Sequence, residues 1–125
     1  MIVLMHHRRF VAPIKAKVKR HTIRRDRKRP INVGDKLSHR SWTGKAYRSK
    51  QEVIAEGTCT AVVPITVGTG CVWYAGGHSG PILSLDRDLD AFAVSDGFKD
   101  WADLQAYYVE QKISLPFRGV LIEWE

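Results

Sequence analysis

The sequence predicts a single α+β domain over residues 1–125, built as a small curved sheet or barrel with helices packed at its rim. Three observations predict it. Runs of β-branched and aromatic residues separated by turn signals dominate both halves of the chain. Helical spacing is confined to two short stretches. No internal repeat, low-complexity tract or linker divides the chain. At 44% hydrophobic and 26% charged residues the composition supplies a core and excludes a disordered tail, a collagen-like chain and a coiled coil.

Residues 2–6 read as a short buried strand, after which Phe10, Ile14 and Val18 recur at four-residue spacing on one face of a helical segment. Pro13 lies inside that segment, so the helix starts near Pro13 or kinks there. Residues 21–25 are extended, 30–34 form a loop and 35–42 alternate as a strand. Residues 52–67, rich in Val, Ile and Thr, make the longest β stretch. Gly68, Gly70, Gly76, Gly77, Gly80 and Pro81 punctuate the next segment, so 71–74 and 82–85 read as hairpin strands between turns. Asp100 is placed as the N-cap of a helix, with Asp103 three residues on and Trp101, Leu104 and Tyr108 at i, i+3 and i+7. Residues 117–124 close the chain as an apolar strand.

The net charge of +7 hides a division. Residues 1–50 carry 16 Lys and Arg against Asp26 and Asp35, a balance of +14, whereas residues 51–125 carry 4 against 11 carboxylates, a balance of −7. Within the basic half, Arg24, Arg25, Arg27, Lys28 and Arg29 place five cations in six residues, whose mutual repulsion solvent or phosphate must screen. A polyanionic partner is expected, nucleic acid or a phosphorylated nucleoside.

The wholly apolar stretches, such as 2–5 and 61–63, fall far short of the roughly 18 residues of a membrane span. The apolar start is followed by His6, His7, Arg8 and Arg9, the reverse of a secretory signal, so a cytoplasmic protein with no membrane partner is expected. Cys59 and Cys71 make neither a disulfide framework nor a four-ligand zinc site unless histidines such as His78 are recruited. Reduced thiols are expected, with a Cys59–Cys71 bridge as the alternative. His6 and His7 point to opposite faces of a strand and are poor joint ligands, so no metal and no cofactor is assigned. Gly44-Lys45 lacks both the opening glycine and the following hydroxyl of a phosphate loop. Gly68-Thr69-Gly70 lacks the third glycine and the helix of a dinucleotide fingerprint.

In Lys19-Arg20-His21-Thr22-Ile23-Arg24, strand alternation places Thr22 and Arg24 on one face, with Lys19 at the turn before them. A lysine among other cations has a lowered pKa, and a hydroxyl within its reach is then activated as a nucleophile or positioned as a donor. On spacing alone, a basic strand with solvated charges, its threonine serving β propensity, is the favoured reading of the segment.

This segment, followed by Val33-Gly34-Asp35, by Ala93-Val94-Ser95-Asp96-Gly97-Phe98 and by Phe117-Arg118-Gly119-Val120-Leu121-Ile122-Glu123-Trp124, resembles the ASCH domain family of the PUA-like superfamily in order and spacing. The resemblance covers roughly residues 1–124 and is vaguest over 68–81. It implies a PUA-like small β-barrel flanked by helices, with a cleft lined by the lysine, threonine and arginine of the signature and a late carboxylate. It further implies RNA or nucleotide binding, with ribonuclease or N4-acetylcytidine amidohydrolase activity in some members. The amidohydrolase residues carry over to Lys19, Thr22 and Asp96, where the family's glutamate is here one methylene shorter. Arg20, Arg24, Arg25, Arg27, Lys28 and Arg29 are the candidate phosphate contacts. Trp42 and Tyr47, lying among cations, are the candidate base-stacking residues. The leading expectation is a binding domain. The rivals are an amidohydrolase in which Thr22 attacks, a metal-independent ribonuclease, and a basic protein-interaction module.

Overall fold

The computed structural model of the protein describes residues 1–74 and 82–125. Along these residues run β1 (Ile2–Met5), a 3-10 turn (Arg8–Phe10), α1 (Val11–Lys15), β2 (His21–Arg24), β3 (Lys36–Trp42), β4 (Gln51–Val67), β5 (Val72–Tyr74), β6 (Ile82–Leu83), α2 (Asp86–Ser95), α3 (Trp101–Glu110) and β7 (Phe117–Trp124). The seven strands form one mixed sheet, so the α+β class holds.

The long β4 organises the sheet. Its first half pairs antiparallel with β3, from Trp42↔Gln51 to Lys36↔Thr58, and its second half pairs with β7, from Cys59↔Trp124 to Val67↔Phe117. Register shifts at His39/Arg40 and at Cys59/Ala61 mark irregularities, which strengthen local twist and let one strand serve two partners. Outside this frame β1 lies parallel to β3, β2 antiparallel to β7, and the β5–β6 ribbon extends from the end of β4. The strand path is therefore β1-β3-β4-β7-β2, and the barrel expected from the sequence is not closed. Among the described residues β1 and β2 do not pair. The Arg24 guanidinium stands there instead, with Nη2 donating to the Met5 carbonyl at 2.7 Å, where a closing strand pair would put backbone against backbone.

The main core gathers Phe10 and Ile14, the helical residues Leu89, Phe92, Leu104 and Tyr108, and the strand residues Ile65, Phe117 and Leu121. A smaller cluster of Leu4, Ile31, Leu37, Cys59 and Ile122 fills the other side of the sheet.

Several expectations are refined. Phe10 and Ile14 are buried as their spacing requires, but α1 ends at Lys15 and Lys17 takes φ +60°, so Val18 leaves the helical face and is exposed. Pro13 sits in the first turn of α1, where a backbone N–H has no intrahelical acceptor to lose. Asp100 does cap α3, accepting from the Asp103 N–H at 2.8 Å, while the Asp103 carboxylate takes the Lys99 N–H and pairs with Arg9. The structure adds α2, which the sequence reading does not delimit, although Leu89, Phe92 and Ala93 form its buried stripe at i, i+3 and i+4. Cys59 and Cys71 are both free thiols. The turns expected at Gly76, Gly77, Gly80 and Pro81, and His78, lie outside the described residues. Among the described residues no helix is long and apolar enough to cross a membrane.

Candidate functional site

The site begins with how the chain leaves α1. The N–H groups of Val18 and Lys19 both donate to the Pro13 carbonyl, at 2.9 and 3.0 Å, and the positive φ of Lys17 completes a reversal that sends Lys19 inward. Room for it is made at the end of α2. Gly97 takes φ +96°, and a Cβ there would stand 2.8 Å from Lys19 Cδ and 2.9 Å from Phe10 Cδ1. Lys19 is thus 3% exposed, with its ammonium 4.5 Å from the centre of the Phe10 ring.

All three donors of that ammonium are engaged. Lys19 Nζ donates to the His21 carbonyl at 2.9 Å, to the Asp96 carbonyl, and to Asp96 Oδ1 at 3.3 Å. Asp96 Oδ1 also lies 3.0 Å from His21 Nδ1. Burial holds the Lys19 pKa below its ordinary value, and the Asp96 carboxylate offsets only part of that. Asp96 is both a helix-end residue, capping α2, and a buried charge at 4% exposure.

Thr22 and Arg24 share a strand face, as alternation predicts. Arg24 Nε donates to Thr22 Oγ1 at 3.2 Å, and Nη2 reaches Met5 O and, at 3.4 Å, His6 Nδ1. Burial pushes the Arg24 pKa down, with Tyr107 and Asp96 opposing, and a guanidinium stays charged through such a shift. His6 Nε2 lies 3.0 Å from His39 Nδ1. Burial first, then the charges of Arg24 and Lys19, hold His6 down at about 2 and His39 at about 4. Both rings are neutral at pH 7.

Lys19, Thr22, Arg24 and Asp96 line one cleft of about 180 Å³ in the gap between β1 and β2, with His6 and Tyr107. That is smaller than a typical drug-sized site and fits a single ring or an anionic group. The structure does not bring the other predicted residues to it. Arg25, Arg27, Lys28 and Arg29 are exposed just beyond β2, with the Arg25 guanidinium 5.3 Å from the centre of the Phe117 ring. Arg20 is exposed and turns its Nε toward Lys17 O at 3.5 Å. Trp42 and Tyr47 pack on each other, with ring centres 5.1 Å apart, at the end of β3 and in the loop after it, and do not line the cleft. The residues that sequence reasoning missed are His6, His21 and Tyr107. No spacing in the sequence links them, since the contacts come from strands and a helix far apart in the chain.

Chemically, a Lys19 ammonium with every N–H engaged has neither a free donor nor a lone pair, so it acts as a fixed positive charge. Thr22 accepts from Arg24 and keeps its own O–H to donate, and Arg24 Nη1 has no partner among the described residues. The cleft sets a buried cation, Lys19, and a half-buried one, Arg24, against one carboxylate, Asp96. Compared with protein-family models, curated proteins and solved structures, the chain matches none.

Proposed function

We propose that the chain is an ASCH-type, PUA-like domain that binds RNA or a nucleotide, taking an anionic group in the cleft between β1 and β2. The excess cation in that cleft carries the reading. A half-buried guanidinium balanced by no carboxylate of its own is costly, and an incoming phosphate lowers that cost through charge-assisted hydrogen bonds. Arg24 and the Thr22 hydroxyl supply donors for it, and the fixed charge of Lys19 adds attraction. The exposed run of Arg25, Arg27, Lys28 and Arg29 continues from the same strand and suits the backbone of a longer strand. Binding without turnover is favoured over the amidohydrolase and ribonuclease readings, because Lys19 Nζ is held by the His21 carbonyl and by both oxygens of Asp96 that it reaches, while Thr22 Oγ1 is partnered by Arg24 and not by Lys19. The free thiols of Cys59 and Cys71 suit a reducing cytoplasm.

Fluorescence anisotropy with a short labelled single-stranded RNA tests this. Affinity should fall linearly with log salt and drop about tenfold or more in Arg24→Gln. Unchanged affinity in that variant would place the anion elsewhere. Release of acetate from N4-acetylcytidine by the wild type would move the reading to the amidohydrolase.

A further inference from the structure

A second cavity, of about 450 Å³, lies between α2 and the sheet face formed by β2, β7 and β4. Its size is that of a small-molecule site. Its charge is opposite to the cleft's. Glu123 stands directly across from His21 in the β2–β7 ladder, and such pairs share a sheet face with side chains about 5 Å apart. Asp88 enters from the first turn of α2. Among the described residues neither carboxylate has an ion pair or a hydrogen bond. Arg20, the one cation among the described lining residues, turns its Nε away toward the backbone of Lys17.

His21 is an independent sign of a ligand. It is 5% exposed, and its Nδ1 faces Asp96 Oδ1 at 3.0 Å. Asp96 thus occupies the Nδ1 side of the ring, and Nε2 is the nitrogen left for another partner. Nε2 has no hydrogen-bond partner among the described residues, and His21 lines the cavity. Phe92 and Tyr74 form an aromatic corner, with ring centres 6.1 Å apart, and Val63 and Leu121 make the apolar floor. Burial, then the charges of Glu123 and Asp96, push the Tyr74 hydroxyl up to about 12, so it stays neutral.

We propose that this cavity binds a small organic ammonium ion, one N–H donated to His21 Nε2 and another to the Glu123 carboxylate, with its hydrocarbon against Phe92, Val63 and Leu121. Asp88 and Glu123 exclude an anion by charge. Among the described residues no three metal-ligating side chains converge, and the apolar walls suit an organic cation. The ammonium comes from a free amine or from a lysine side chain of a peptide. Its binding is independent of what the first cleft takes.

The test is an NMR titration of the whole chain with n-butylammonium, with Nα-acetyl-lysine amide and with n-butanol, following the His21 imidazole nitrogens and the Ala91 and Val63 methyls. The ammonium should shift these signals and bind about tenfold more tightly than n-butanol, and Glu123→Gln should weaken it by a similar factor. Asp88→Asn serves as a second variant, on a residue whose side chain makes no hydrogen bond or ion pair among the described residues, with the amide spectrum reporting that each variant is folded. Equal binding of the lysine amide assigns a peptide source, and binding of the free amine alone assigns a small molecule; either result supports the site. The proposal is overturned by no binding of either ammonium, by n-butanol binding as well as n-butylammonium, or by both variants leaving the affinity unchanged.

Discussion

The Lys19 ammonium meets Asp96 at two points, the backbone carbonyl and the carboxylate. The first contact ties the ammonium to the end of α2, and the second neutralises it. Replacing Asp96 by Asn keeps the shape but leaves a buried cation without its counter-charge, a change that typically costs about 3–5 kcal/mol. Lys19→Met should cost less, because Asp96 retains the His21 imidazole as a partner. Urea unfolding of the two variants checks the order.

Asp96→Glu should also destabilise, by about 1–3 kcal/mol, since an added methylene has to fit where the carboxylate already meets Lys19 and His21. The longer carboxylate of the resembled family is therefore expected not to generate amidohydrolase activity here. A rise in N4-acetylcytidine turnover in this variant would contradict that.

Gly97→Ala combines an unfavourable positive φ with a Cβ that meets Lys19 and Phe10. A loss of about 2 kcal/mol or more is expected from strain and overpacking together. Thermal unfolding reads the loss, and weakened RNA affinity at a temperature where the variant remains folded would show that Lys19 had been displaced.

Acid should destabilise the domain in a definite window. His39 is held at about 4 and His6 at about 2 in the folded chain, against 6.5 unfolded. Below pH 6.5 the unfolded chain takes up protons that the fold refuses. Their contribution is therefore complete above pH 6.5 and is lost as pH falls toward 4 and then 2. For His39 the loss is about 3 kcal/mol at 1.36 kcal/mol per pKa unit. Urea midpoints between pH 7 and pH 4 should fall steeply in the wild type and less steeply in His39→Phe.

Replacing Arg25, Arg27, Lys28 and Arg29 together by Ser should leave the fold intact, because all four are exposed. If each contacts a phosphate of single-stranded RNA, the slope of log K against log salt should become shallower by about 3, at 0.7 per contact. An unchanged slope in the same anisotropy assay would remove this run from the interface.

Much of the strand framework is legible in the sequence because it rests on local chemistry: β-branched runs for β4 and β7, an aspartate cap for α3, and alternation for the Thr22 and Arg24 pair. Convergence of Lys19, Thr22, Arg24 and Asp96 is legible only through the family resemblance. The rest depends on long-range geometry. Val18 fails as a helical residue because Lys17 reverses the chain, which four-residue spacing does not encode. The barrel stays open because a side chain occupies the seam, and no pattern in a strand announces its neighbour. His21 escapes a sequence reading because its partners, Asp96 and Glu123, lie 75 and 102 residues away in sequence. The acidic cavity is hidden for the same reason, since its carboxylates are spread over α2 and β7.

The position of Arg24 between β1 and β2 has one more consequence. Among the described residues two unpaired strand borders flank that guanidinium, and a bare border is a template on which another chain can add a strand. By tying itself to Met5 O, Arg24 serves as a gatekeeper for both. Truncating it to alanine should do more than lower affinity for an anion: it should promote edge-to-edge self-association of the protein. Ligand occupancy, by fixing the same side chain, should then keep the protein monomeric.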